Sequence, residues 1–328
     1  MNHCSNCKRR GQLVSQLQGS AAGQTAQSVL LAAHHCPPRQ RGSAARPPLS
    51  SPSGAMPLEL ANDHLTVEIL HPVADAAKLG SRYAHGGYVW QVFSAAGALL
   101  SGPAFPAESP PTFDGQGLPE AFRSLPLDEG GRSAVPGVGT LTDEADPAPD
   151  GSGQVRGKQV VEALRWTISQ SASDYRHADC IRMESSQPLA GGATLRMAKT
   201  VSLDGSTVRC GTEVELVGGT SGAATELTWF SHPFFPLCKD GVVCTFGGFE
   251  TQLDEPEGEP RSFHYDPQGQ LCMDLDYNWV YAEGGGSFKQ LSGVEGHALS
   301  AEAYHPLGGF IACAGTFPLQ SMPIWYSP

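Results

Sequence analysis

From Thr207 to Leu216 the chain alternates without a break. Val208, Cys210, Thr212, Val214 and Leu216 fall on one face, and Arg209, Gly211, Glu213 and Glu215 on the other. A period of two over this length is the pattern of a half-buried β-strand, because successive side chains of an extended backbone point to opposite sides. Leu195, Met197, Val201 and Leu203 repeat the parity just upstream, with Asp204-Gly205 between the two runs. Glycine adopts the positive φ of a tight hairpin turn at no steric cost, so the sequence predicts an antiparallel hairpin over 194–217. Lys199 falls on the apolar side of this hairpin. An ammonium placed there has to reach a rim, pair with an acid or mark a cavity in the sheet.

The remainder of the chain extends the same theme. Long helical periodicity is absent, while 39 Gly and 26 Pro break the sequence into short segments, the composition of many strands joined by turns. Strand patterns are drawn at 58–70, as a pair around Asn62-Asp63, and at 87–93, 159–168, 224–230, 241–253, 271–281, 298–304 and 309–315. Residues 103–157 are rich in Pro, Gly and acids and are read as loops within one domain, since no complete core precedes them. The fold class expected for 56–328 is all-β, a large antiparallel β-sandwich. No run of eighteen apolar residues occurs, so no membrane-spanning helix is expected.

The net charge of −12 joins two unlike parts. Residues 1–55 hold six basic side chains and no acid, the first acid being Glu59; the rest holds 15 basic and 33 acidic groups. A basic, acid-free leader containing Ser, with only Val29 to Ala33 as an apolar run, has the composition of an organelle transit peptide. The expectation is a structureless leader addressed to the chloroplast, with mitochondrion or cytoplasm as alternatives, followed by a folded domain from 56. The strongly acidic remainder repels phosphates and argues against nucleic acid as a partner. Cys4-Ser-Asn-Cys7 has half a zinc-site spacing, with His34, His35 and Cys36 as candidate partners. The gap between them is too long for common finger patterns, and no metal site is expected. Cys180, Cys210, Cys238, Cys244, Cys272 and Cys313 are spread singly through strand-like contexts and read as small buried hydrophobes rather than a disulfide framework.

The stretch richest in chemistry is Thr228-Trp-Phe-Ser-His-Pro-Phe-Phe-Pro236, where His232 sits among large apolar groups after a strand. Together with Arg82-Tyr-Ala-His-Gly-Gly-Tyr-Val-Trp-Gln-Val92, Gly137-Val-Gly-Thr-Leu141 and the hairpin, it resembles the galactose mutarotase-like proteins. These include the aldose 1-epimerases and hexose-6-phosphate epimerases. The resemblance runs over most of 57–328. It implies a large antiparallel supersandwich whose concave sheet face binds a small-molecule sugar or sugar phosphate without a cofactor.

In that family a His following a strand protonates the pyranose ring oxygen, and a Glu near the C-terminus takes the anomeric hydroxyl proton. The ring opens to an aldehyde and recloses as the other anomer. The resemblance assigns the acid to His232, a side chain whose ordinary pKa suits acid work near neutrality. For the base no matching Glu precedes Pro328, so either the chain stops short of it or another acid serves; Glu302 is the nearest candidate. Arg82, His85, Asp276 and Trp229 are candidate sugar contacts, and Phe234 and Phe235 a flat apolar wall. Two other classes stay open. One is a carbohydrate-binding protein without the base. The other is a structural β-domain, in which His232 would be buried and bonded to backbone.

Overall fold

The computed structural model describes residues 10–13, 15–20, 27–34, 58–102, 116–127, 132–141, 160–170, 179–219, 226–236, 242–253, 262–274, 287–307, 310–319 and 322–327. The protein is an all-β sandwich with antiparallel pairing. The predicted hairpin is its central feature: Ala193–Asp204 pairs with Thr207–Gly218 along twelve residues, from Ala193↔Gly218 to Asp204↔Thr207. The turn between them, Gly205-Ser206, carries Gly205 at φ +55°. Asn62 donates from Nδ2 to the Gly205 carbonyl at 2.8 Å and accepts from the His64 and Leu65 amides, so one side chain ties this turn to the Leu58–Ala61/Leu65–Ile69 hairpin.

The hairpin lies within a ten-stranded sheet. Its order is Thr167–Gln170, Cys180–Pro188, Ala193–Asp204, Thr207–Gly218, Gln27–His34, Phe310–Pro318, Ala298–Tyr304, Val242–Phe246, Leu271–Met273 and Phe263–Tyr265. Met197, Val201, Leu203 and Val208 face the main apolar core, which runs from Leu58 and Val67 to Leu299, Ile311 and Ile324, and Leu195 is buried as well. A five-stranded sheet containing Met322–Ser327 and Ser287–Ser292 contributes Met322, Ile324 and Leu291 to the same core. Burial of this apolar surface is the main stabilising term of such a sandwich.

The structure departs from the sequence reading in several places. Within the supposed leader, Arg10–Leu13, Ser15–Ser20 and Gln27–His34 are strands, the last hydrogen-bonded on both sides, to Thr207–Gly218 and to Phe310–Pro318. This last segment holds the leader's only apolar run, and it covers two strands that would otherwise present open edges. Residues 103–157 are not loops throughout: Glu120–Phe122, Leu125–Pro126, Ser133–Val135 and Gly139–Leu141 are short strands. They were hidden because two- and three-residue strands leave no periodicity to read. The 159–168 pattern divides into Val160–Ala163 and Thr167–Gln170, which join different sheets. Of the 271–281 pattern, Leu271–Met273 is a strand, and 275–281 lies outside the described residues.

Candidate functional site

Two sequence motifs meet where the chain leaves the short α-helical turn Ala76–Leu79. Gly80 ends the turn at φ +64°, a conformation glycine tolerates without a Cβ penalty. The backbone then runs as a loop to Gly87, φ +70°, before Val89–Ser94 begins. Within it Ala84 N–H donates to the Glu120 carbonyl (2.8 Å) and His85 N–H to the Gly137 carbonyl (2.9 Å), which pins the loop to the small strands of the 116–141 region. Tyr83 points inward, its ring edge-on to that of His232 with centroids 5.6 Å apart, and the Arg82 guanidinium lies 4.8 Å over the Tyr83 ring centroid.

His232 follows Glu226–Ser231 and is 0 % exposed. Its amide donates to the Pro119 carbonyl at 2.9 Å. Phe234 stacks at 6.5 Å between centroids, and Phe230 lies tilted at 6.0 Å. Phe230 and Phe234 belong with Tyr83, Tyr88 and Trp90 to a second apolar cluster apart from the main core. A ring buried this way is what the structural reading of His232 expects.

Trp229 does not share this surface. It lies opposite Phe122 in the ladder and packs in the main core, on the other side of the strand from Phe230. Side chains three apart on an extended backbone face opposite ways, so the nine-residue motif divides between two clusters. The Trp229 indole N–H donates to Glu120 Oε2 at 2.7 Å. Phe235 also goes to the main core. His85 is buried within the loop with its Nε2 2.9 Å from the Gly80 carbonyl. Burial holds its pKa below the ordinary value, against the opposing effect of that backbone bond. Glu302 projects from the solvent side of Ala298–Tyr304, where exposed and buried residues alternate. Asp276 lies outside the described residues.

The acid that Lys199 requires is Glu120. Lys199, on the buried face of the long hairpin, forms a salt bridge with Glu120 Oε2 and donates to Thr212 Oγ1 at 2.9 Å; Thr212 Oγ1 donates in turn to the same Oε2 at 2.7 Å. With Trp229, three donors meet on one carboxylate oxygen. The Lys199 ammonium also lies 5.6 Å from the Phe122 ring centroid. The parity of Lys199 announced a partner, but nothing in Leu118-Pro-Glu-Ala-Phe122 marks which acid it is.

The opposite, outward face of the same strands is charged. A groove of about 840 Å³ is lined there by Arg165, Arg182, Glu184, Arg196, Glu213 and Glu215, among others. Arg182 bonds Glu184 at 2.9 Å and Glu213 at 3.0 Å, and Arg196 lies 3.5 Å from Glu215. Exposed pairs of this kind contribute little to stability each.

The thiols of Cys210 and Cys313 sit in the core, where burial is the main effect pushing both up to about 12. A neutral thiol is a poor nucleophile and a poor metal ligand. Among the described residues no three His, Cys, Asp or Glu side chains are grouped to hold a metal ion. Cys4, Cys7, His35 and Cys36 lie outside the described residues. No helix among the described residues is long and apolar enough to cross a membrane. No protein-family model, curated protein or solved structure matches the chain.

Proposed function

We propose that the protein handles the anomeric end of an aldose or sugar phosphate, in the manner of the mutarotase-like proteins its motifs resemble, with His232 as the acid that protonates the ring oxygen. The observation that carries the reading is the meeting of the two motif segments: Arg82 over Tyr83, and Tyr83 against His232, with 5.6 Å between the last two ring centroids. A cation, a phenol and an imidazole drawn from segments 150 residues apart are the groups needed to bind hydroxyls or a phosphate and to move a proton. Sugar would reach His232 by displacing Tyr83, the loop turning about Gly80 and Gly87.

A second reading, binding without catalysis, is favoured by the solvent-side position of Glu302, whereas the complete burial of His232 is what a structural β-domain without a sugar site expects. Anomer exchange followed by NMR on the full chain, across hexoses and hexose 6-phosphates, separates the two. Exchange above the no-protein rate that is lost in His232→Gln, with the variant still folded by circular dichroism, supports the epimerase. Sugar-dependent line broadening without exchange supports binding alone, and neither effect on any sugar overturns both. The acid-free composition of the leader supports a chloroplast address, which an import assay with isolated organelles tests.

A further inference from the structure

The buried face of Cys180–Pro188 carries more polarity than a sandwich core requires. Ser185 and Gln187 lie on it beside Met183, opposite Met197 and Leu195 of the neighbouring strand. Ser185 Oγ and Gln187 Oε1 are buried without a hydrogen-bond partner among the described residues, and so are Trp166 Nε1 and His85 Nδ1. Buried polar atoms are nearly always paired, so four in one neighbourhood call for a physical account.

A chain of contacts draws the four residues together. The Thr167↔Glu184 pairing sets Trp166 at the next position along, beside Ser185. The Trp166 ring rests on Gly86, where a Cβ would come within 2.4 Å of it, and His85 is the preceding residue. Gly87 N–H donates to Met183 Sδ at 3.1 Å. Gln187 Nε2 donates to the Gly139 carbonyl at 3.0 Å, while Gly137, two residues before, accepts from His85 N–H and faces Met197. Met197 is the ladder partner of Ser185.

The chemistry of the set is specific. The Gly80 carbonyl accepts, so His85 Nε2 carries the proton and Nδ1 presents a lone pair. Gln187 Oε1 is an acceptor, Trp166 Nε1–H a donor, and Ser185 Oγ either. Two acceptors, one donor and one group of both kinds, none charged, match neighbouring hydroxyls, each of which gives one hydrogen bond and takes others. An anion would meet too few donors, and a cation would be desolvated without a counter-charge.

We infer that His85, Trp166, Ser185 and Gln187 form a subsite that hydrogen-bonds the hydroxyls of a neutral polyol, beneath the loop that carries Arg82 and beside the Lys199–Glu120 pair. The inference rests on the carbohydrate reading above and specifies where the hydroxyls are held.

The test measures Kd for D-glucose, D-galactose and glucose 6-phosphate by calorimetry, with the thermal midpoint, on the full chain and on Ser185→Ala, Trp166→Phe and the outward-facing control Ser186→Ala. Ser185→Ala deletes one polar group with little change of shape, whereas Trp166→Phe also removes ring volume from the core, so the thermal midpoint is read on Ser185→Ala and Kd on both. Loss of one hydrogen bond between neutral groups should raise Kd about 3- to 10-fold, with the thermal midpoint of the free protein not lowered and the control unchanged. Sugar binding by the native chain with Kd unaltered in both variants overturns the subsite and leaves the carbohydrate reading standing. Lowered midpoints with unaltered Kd overturn it as well, assigning the four atoms to internal solvent. Absence of binding to any of the three sugars overturns the carbohydrate reading and this inference together.

Discussion

Lys199 and Glu120, separated by 79 residues in the chain, form a salt bridge on the buried face of the largest sheet, and the lysine side chain is 3 % exposed. Lys199 has almost no water to fall back on if Glu120 is removed, and the Glu120 side chain, 11 % exposed, has little, so the pair is a point where single substitutions and paired substitutions should differ in outcome.

Lys199→Met leaves the Glu120 carboxylate with Thr212 and Trp229 but no cation. Breaking a buried pair from one side costs about 3 kcal/mol or more. Adding Glu120→Gln, which keeps an acceptor for the Trp229 indole, should restore most of the loss. Urea denaturation of the two single variants and the double variant closes this cycle. A single-variant loss below about 0.5 kcal/mol would place the pair among those of no energetic consequence.

Stability should fall as the solution is acidified from neutrality. Burial holds His305 down from 6.5 to about 4, and lowers His85 in the same direction. Between those limits the unfolded chain binds protons that the folded chain does not, so the contribution is complete above pH 6.5 and is lost as pH falls toward 4. Urea midpoints at half-unit pH steps measure the slope. His305→Asn should flatten it, and an unchanged slope in that variant would assign the acid sensitivity to other groups.

Gly80 and Gly117 both have positive φ, +64° and +67°, but differ in their surroundings. A Cβ at Gly80 meets nothing within 4 Å, whereas at Gly117 it would lie 2.2 Å from the Val89 carbonyl oxygen. Gly80→Ala should cost about 1–3 kcal/mol from the backbone conformation alone, φ 64° with ψ −148°. Gly117→Ala should cost clearly more, since backbone has to shift. Equal thermal midpoints for the two variants would contradict the close approach.

If the leader is processed, cleavage should fall ahead of Gln27. The Gln27–His34 strand is bonded on both sides within the sheet, and its removal would expose two strand edges. N-terminal sequencing of the protein recovered from chloroplasts after import checks this, and a mature terminus beyond His34 would refute it.

The long hairpin was legible because one of its faces is apolar and the other charged, so parity showed directly. Ala298–Tyr304 was legible for the same reason. The four strands between 120 and 141 were not, being too short for any period to register. At the candidate site, the closeness of Trp229 and His232 in sequence suggested one surface, but the alternation of the extended backbone sends them to different clusters. Arg82 and His232 stand out by motif, and their connection runs through Tyr83, whose inward position no sequence pattern marks. Trp166, Ser185 and Gln187 gave no signal, because isolated polar residues in strand patterns read as solvent-facing until register places them inside.

The position of Gln27–His34 also bears on how the molecule is made. A strand that emerges early from the ribosome takes its two neighbours from Thr207–Gly218 and Phe310–Pro318, the second near the far end of the chain. Such distant pairings make folding slow and leave apolar strands uncovered in the meantime. The large sheet is completed only after Phe310–Pro318 has been synthesised, so nascent chains should depend on chaperones more than the finished protein does.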